Sequence, residues 1–346
     1  MNITENEIKK QIRSGEFSNL YLIYGDEPYL KSFYVKKIQE KAVDKSFADF
    51  NLHVFEGKGL DIDVLSQTVD AYPMMSERTC VTVTDFPADT ASKADYEKLS
   101  SVFNDVPETC ILIFFMDTLD VQPKKSAKWR NFIKDIGAKG SVLELNKKTP
   151  MELERLVMSG AEKRGCHMSP SLAAYFISLV GNDMTNAVNE LGKLCAYVGS
   201  GEIKKEDIDA SAVKTVEAVV FDLTKALTAN NASRAFAVLN TLFDQKTEPV
   251  VIMGVLISAY VDMYRAKVFR TSGERAEDAA GYFDYRGREF RLKNASRDAS
   301  GMSLAKIKEC LDALDKTDML LKSSGFDAKT VTEQCIIKLL MAAGAK

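Results

Sequence analysis

The residues with the type and spacing for phosphate chemistry lie at Gly25-Asp26-Glu27. They follow an apolar run, Leu20-Tyr21-Leu22-Ile23-Tyr24, and precede an amphipathic helical stretch. A strand that turns on glycine into a helix is where a nucleotide-binding α/β domain carries its phosphate loop. A working loop has the pattern G-x-x-x-x-G-K-[ST]. Its backbone N–H groups cradle the phosphates, its lysine neutralises them and its hydroxyl holds Mg²⁺. Here one glycine is followed by two carboxylates, which repel a triphosphate. The segment reads as a degenerate phosphate loop on an NTPase-like scaffold.

Other catalytic constellations are not apparent. The only histidines, His53 and His167, are far apart in sequence and support no Ser/His/Asp or Cys/His arrangement. The six cysteines (Cys80, Cys110, Cys166, Cys195, Cys310, Cys335) include no C-x-x-C pair, and most sit in apolar periodic segments. They read as free buried thiols of a reducing compartment. Asp61, Asp63 and Asp70 lack EF-hand spacing. No catalytic residue, cofactor or metal is expected.

The elements that would position the turn alternate over the first 145 residues. Strand signals fall at 20–24, 51–55, 79–84, 110–115 and 141–145, with helical stretches at 29–43, 60–72, 92–104 and 126–136 between them. This order predicts a parallel sheet covered on both faces. The continuously apolar Cys110-Ile111-Leu112-Ile113-Phe114-Phe115 predicts a buried central strand. After Asn146-Lys147-Lys148 the pattern becomes all-helical. Thr149-Pro150-Met151-Glu152 combines a cap, an N1 proline and a capping box, and Ser169-Pro170 repeats the cap and proline. Asp183 starts a further helix that Gly199-Ser200-Gly201 stops. From about residue 212 a larger helical block follows. Pro249 opens a helix apolar nearly all round, expected at the centre of a bundle, and Ser303 and Asp327 are candidate caps of the last two helices. The expected domains are 1–146, 147–211 and 212–346.

The chain has 346 residues, 46% hydrophobic content and a net charge of −3. Any contact with nucleic acid would therefore use a local patch and not bulk basicity. No membrane span is expected, and the N-terminus lacks the basic and apolar regions of a secretory signal. A cytoplasmic location is expected.

The chain resembles the delta subunit of the bacterial DNA polymerase III clamp loader over nearly its whole length. The resemblance is carried by residues 21–30, by 71–78 ahead of a strand, by Gly181-Asn182-Asp183-Met184 leading to Asn189-Glu190-Leu191-Gly192-Lys193-Leu194, and by 315–325. It implies an AAA+-like parallel-sheet domain, a three-helix lid and a C-terminal helical collar. It implies a subunit that binds and opens the ring-shaped sliding clamp, the beta subunit, for loading onto primed DNA. Such a subunit hydrolyses no ATP and catalyses nothing alone, although its holoenzyme is a DNA-directed DNA polymerase, a nucleotidyltransferase. Its implied partners are the clamp, and ATPase and delta-prime subunits in a hetero-pentamer. In this frame the strand 79–84 takes the place of a Walker B strand. It ends in Asp85-Phe86-Pro87 and not in the Asp-Glu pair that would hold Mg²⁺ and polarise water. The alternative is another AAA+-related loader subunit or a weak ATPase.

Two further segments are candidate interaction sites. Ala71-Tyr72-Pro73-Met74-Met75-Ser76-Glu77-Arg78 is unusually apolar for a helix–strand connection. From composition alone, Met74 and Met75 either tuck under the sheet or fill a partner's pocket. The resemblance makes them the clamp anchors, with Tyr72 and Pro73 shaping the loop, although the family favours Leu-Phe-like pairs. The stretch from Tyr285 to Lys293 carries Arg286, Arg288, Arg291 and Lys293 around Phe290, with Arg297 beyond it. It reads either as a solvated helix face or as a phosphate-neutralising, base-stacking patch. The resemblance places it beside primer–template DNA.

Overall fold

The computed structural model describes residues 1–285, 290–323 and 325–344. The chain divides into two compact units, Met1–Lys147 and Lys148–Lys346.

The first unit runs β1 (Asn2–Ile3), α1 (Glu5–Ser14), β2 (Leu20–Tyr24), α2 (Pro28–Ala42), α3 (Ala48–Asn51), β3 (Leu52–Glu56), α4 (Ile62–Asp70), β4 (Thr79–Thr84), α5 (Lys93–Asn104), β5 (Cys110–Phe115), α6 (Ala127–Lys139) and β6 (Ser141–Glu144). The strands form one sheet in the order β1-β6-β2-β5-β4-β3, with every pairing parallel. β2 sits between β6 and β5, so the chain leaves it at a topological switch point, where open α/β sheets bind ligands. Leu20, Tyr21, Leu22 and Ile23 of β2 and Cys110 to Phe114 of β5 are buried, as strands covered on both faces require. Phe114 meets Phe86, Phe103 and Phe132 edge to face, which joins β5 to α5 and α6.

β1 and α1 are absent from the expectations above. β1 has two residues, and α1 buries only Ile8, so neither offers an apolar periodicity. The legible signal was the Thr4–Glu7 capping box, which the structure contains in full.

The second unit begins with α7 (Pro150–Glu162), β7 (Cys166–His167), α8 (Pro170–Val180), α9 (Met184–Val198), β8 (Gly201–Glu202) and α10 (Lys205–Ser211). Thr149 and Glu152 form the expected capping box, and Ser169 and Asp183 cap α8 and α9. The parallel pair β7–β8 departs from an all-helical reading; two-residue strands leave no pattern in the sequence. Then come α11 (Val216–Thr228), α12 (Ala232–Asp244), α13 (Pro249–Thr271), α14 (Phe290–Asp298), α15 (Leu304–Ser323) and α16 (Ala328–Gly344). These helices share one core, built from residues such as Leu223, Leu239, Leu256, Tyr260, Leu314 and Leu339.

α13 is its central helix. By length and composition alone it is apolar enough to cross a membrane. It packs instead against α11, α14 and α15, and it buries Asp262 midway. All six cysteines are buried and free. Burial pushes the Cys80 thiol up to about 12 and the Cys110 thiol to about 11, so both are inert packing groups.

Candidate functional site

The turn after β2 is closed by its own chain. Gly25 has φ +125° and lies so near β6 that a Cβ would stand 2.2 Å from the Leu145 carbonyl oxygen. Only glycine fits there. Leu145 N–H donates to the Tyr24 carbonyl at 2.8 Å, and Glu27 N–H donates to the Leu145 carbonyl at 3.0 Å. Lys147 N–H donates to the Asp26 carboxylate at 2.8 Å. Glu27 is the N-cap of α2; its buried carboxylate accepts from Tyr29 N–H at 3.1 Å, and Pro28 fills the first helical position. A phosphate would use that same helix N-terminus. Glu27 already holds it with a negative charge of the protein's own.

Lys31 completes the closure. Counted from Gly25, Lys31 and Ser32 stand where a phosphate loop has its lysine and its hydroxyl, and Leu30 replaces the second glycine. This spacing is legible in the sequence, and an expectation resting on the missing Gly-Lys pair overlooks it. The Lys31 side chain is buried, and its ammonium donates to the carbonyls of Met116 at 2.6 Å and Asp117 at 2.8 Å. Desolvation pulls its pKa below the ordinary lysine value, while Asp117, Asp85, Asp26 and Glu27 pull the other way. The lysine that would neutralise phosphates is bonded to the end of β5.

Asp85, directly after β4, is likewise engaged. It has φ +55°, and its carboxylate accepts from Thr118 N–H at 3.0 Å, Thr118 Oγ1–H at 2.6 Å and Leu119 N–H at 3.2 Å. It caps the turn after β5. The strand ends that would surround a nucleotide are therefore tied to one another.

The connection from α4 to β4 lies at the opposite end of the sheet, because all six strands run the same way. Tyr72 is 89% exposed, Met75 83% and Met74 57%, while Pro73 is half-buried. The methionines do not tuck under the sheet. Met75 has φ +52°, uncommon for an unbranched apolar residue. Asn51, fully buried at the end of α3, accepts from Met74 N–H at 2.8 Å and donates to the Met74 carbonyl at 2.8 Å. Phe50 and Val54 are exposed on α3 and on the edge strand β3. Sequence reading missed Asn51; a lone asparagine before a strand carries no distinguishing signal.

In the basic stretch, Arg286 and Arg288 lie outside the described residues, as does the side chain of Phe290. Arg291 turns inward. Its Nε donates to Asp262 Oδ2 at 2.9 Å, and its terminal nitrogen meets the same carboxylate at 2.7 Å and Ser258 Oγ at 2.7 Å. Tyr285 donates to the other Asp262 oxygen at 2.5 Å and accepts from Arg265 at 3.0 Å. Lys293 and Arg297 are exposed. The structure therefore gives Arg291 an internal partner and leaves Lys293 facing solvent.

The six-stranded parallel sheet of the first unit and the helices of the second define a protein with an α/β part and a largely helical part. The family model of the DNA polymerase III delta subunit matches residues 21–145, and that of the C-terminal domain of the same subunit matches residues 217–339. The chain belongs to the DNA polymerase III delta subunit family. It is 24% identical to DNA polymerase III subunit delta of Bacillus subtilis, with 96% of each chain covered. It is 22% identical to a probable DNA polymerase III subunit delta of Aquifex aeolicus, covering 74% of this chain and 72% of that one. The solved DNA clamp loader delta protein of Bacillus subtilis shares the fold, with a TM-score of 0.66 at 21% identity over 97% of this chain and 99% of that one.

Proposed function

We propose that this chain is a clamp-loader subunit of DNA polymerase III in DNA replication, which captures the sliding clamp through the 72–75 loop and opens it without hydrolysing ATP itself. The observation that carries this reading is the presentation of Met74 and Met75. Two apolar side chains stand in solvent at a loop whose backbone is pinned from beneath. Flexible, polarizable methionines suit a partner's apolar pocket, and two such anchors can supply most of an interface's energy. Ring opening then needs only tighter binding to the open or strained clamp than to the closed one. On this reading residues 147–211 form the lid, its three helices α7, α8 and α9 followed by the short α10, and residues 212–346 form the collar that joins ATPase and delta-prime subunits in a hetero-pentamer. Lys293 and Arg297, both exposed, are the described residues of the basic stretch that meet primed DNA in the assembled loader. The protein works in the cytoplasm.

One observation favours the alternative of a weak ATPase: Lys31 and Ser32 keep the phosphate-loop spacing. Against it, the lysine is buried on two carbonyls and Glu27 occupies the helix N-terminus. The test of the main reading is clamp binding by the Met74→Ala/Met75→Ala double variant. At about 2 kcal/mol for each anchor, affinity falls by roughly 1,000-fold. Unchanged clamp capture would remove the loop from the interface.

A further inference from the structure

Resting on the reading of residues 72–75 as the clamp-binding loop, we propose that Asn51 is its positioning residue: its side-chain amide holds the Met74 backbone in the binding-competent conformation before the clamp arrives. The side chain is fully buried, and its hydrogen bonds are directed. Oδ1 accepts the Met74 N–H at 2.8 Å, and Nδ2 donates to the Met74 carbonyl at 2.8 Å. The second Nδ2 hydrogen goes to the Phe47 carbonyl at 2.9 Å, within the same short helical segment. The amide thus treats Met74 as a neighbouring β-strand would, pairing both backbone groups of one residue. Reversing the amide would set donor against donor.

The location explains why the loop needs such a bracket. α4 ends at Asp70, β4 begins at Thr79, and the residues between them belong to neither. Met75 sits in the left-handed region, which an L side chain seldom adopts unless its surroundings impose it. Met74 immediately precedes it, and Asn51 fixes both backbone groups of Met74. If the loop left this conformation, the buried Asn51 amide would lose partners for one acceptor and one donor, and unmet groups at such a depth are costly. Departure is therefore opposed. A loop that is already ordered loses less entropy on docking. Asn51 touches the clamp nowhere in this account; it acts through Met74.

This role has a kinetic signature that separates it from a simple stabilising role. When the competent conformation is only partly populated, apparent affinity falls in proportion to that population. The bound contacts made by Met74 and Met75 remain, so the loss appears mainly in association. The experiment uses the full chain and the sliding clamp, with association and dissociation followed for wild type, Asn51→Ala and Asn51→Asp. The aspartate keeps the side chain's size and its acceptor for the Met74 N–H, but sets an oxygen against the Met74 and Phe47 carbonyls. We expect association to slow by about tenfold in both variants, with dissociation changed by less than about twofold. The Met74 amide of the free chain should exchange its hydrogen faster in both. Unchanged association in either folded variant overturns the proposal. So does failure of both variants to fold, since Asn51 would then hold the sheet and not the loop. The Met74→Ala/Met75→Ala variant run alongside separates the two ideas. If it binds the clamp normally, the loop reading itself is wrong. If it fails to bind while the Asn51 variants associate normally, only the positioning role is lost.

Discussion

The two ends of one parallel sheet are finished in opposite ways. At the carboxyl ends of the strands, Asp26, Glu27, Lys31 and Asp85 all bond to nearby backbone, across the ends of β2, β4, β5 and β6. At the amino ends, Tyr72, Met74 and Met75 stand in solvent above a single buried amide. The same residue types that would grip a ligand at one end of the sheet serve there as joints. Apolar residues that would ordinarily pack a core are placed on the surface at the other. One end of the sheet is thus closed by the chain's own hydrogen bonds, while the other presents apolar side chains to solvent.

Three substitutions sharpen the contrast, taken from the largest effect on stability to the smallest. Gly25→Ala should be the most damaging. It puts a Cβ 2.2 Å from the Leu145 carbonyl oxygen at φ +125°, with an expected loss on the order of 4 kcal/mol or more in denaturant unfolding. A wild-type unfolding midpoint would mean the end of the sheet is loose. Asp85→Ala should cost about 2–3 kcal/mol, because it leaves the Thr118 and Leu119 N–H groups without their charged acceptor. A smaller loss, within about 0.5 kcal/mol, would show that water replaces the carboxylate. At the other end the Met74→Ala/Met75→Ala variant should unfold within about 0.5 kcal/mol of wild type, as exposed substitutions do. A large loss there would make the methionines structural.

Much of this contrast was legible in the sequence. The five principal strands, the β5 core and the caps at Thr149, Ser169 and Asp183 follow from periodicity and local hydrogen-bond chemistry, and the structure contains them. The chemical gap at Gly25-Asp26-Glu27 was visible as residue types. How it closes was not, because Leu145, Met116 and Asp117 reach the turn from strands remote in sequence. Lys31 had a spacing signal that the missing second glycine obscured. The exposure of Met74 and Met75 could not be read from composition, since buried and presented methionines look alike in a sequence. Arg291 shows the converse. A run of basic residues suggests an outward face, yet the partner Asp262 lies 29 residues upstream on α13 and draws this guanidinium inward.

The most direct test is clamp binding by the isolated full-length chain, measured with and without Mg-ATP. A sealed phosphate-loop position and a permanently presented loop predict capture of the clamp in the absence of nucleotide, with an affinity that Mg-ATP leaves unchanged. Binding that required Mg-ATP, or strengthened on its addition, would contradict the account, because the turn after β2 would then be a working nucleotide site.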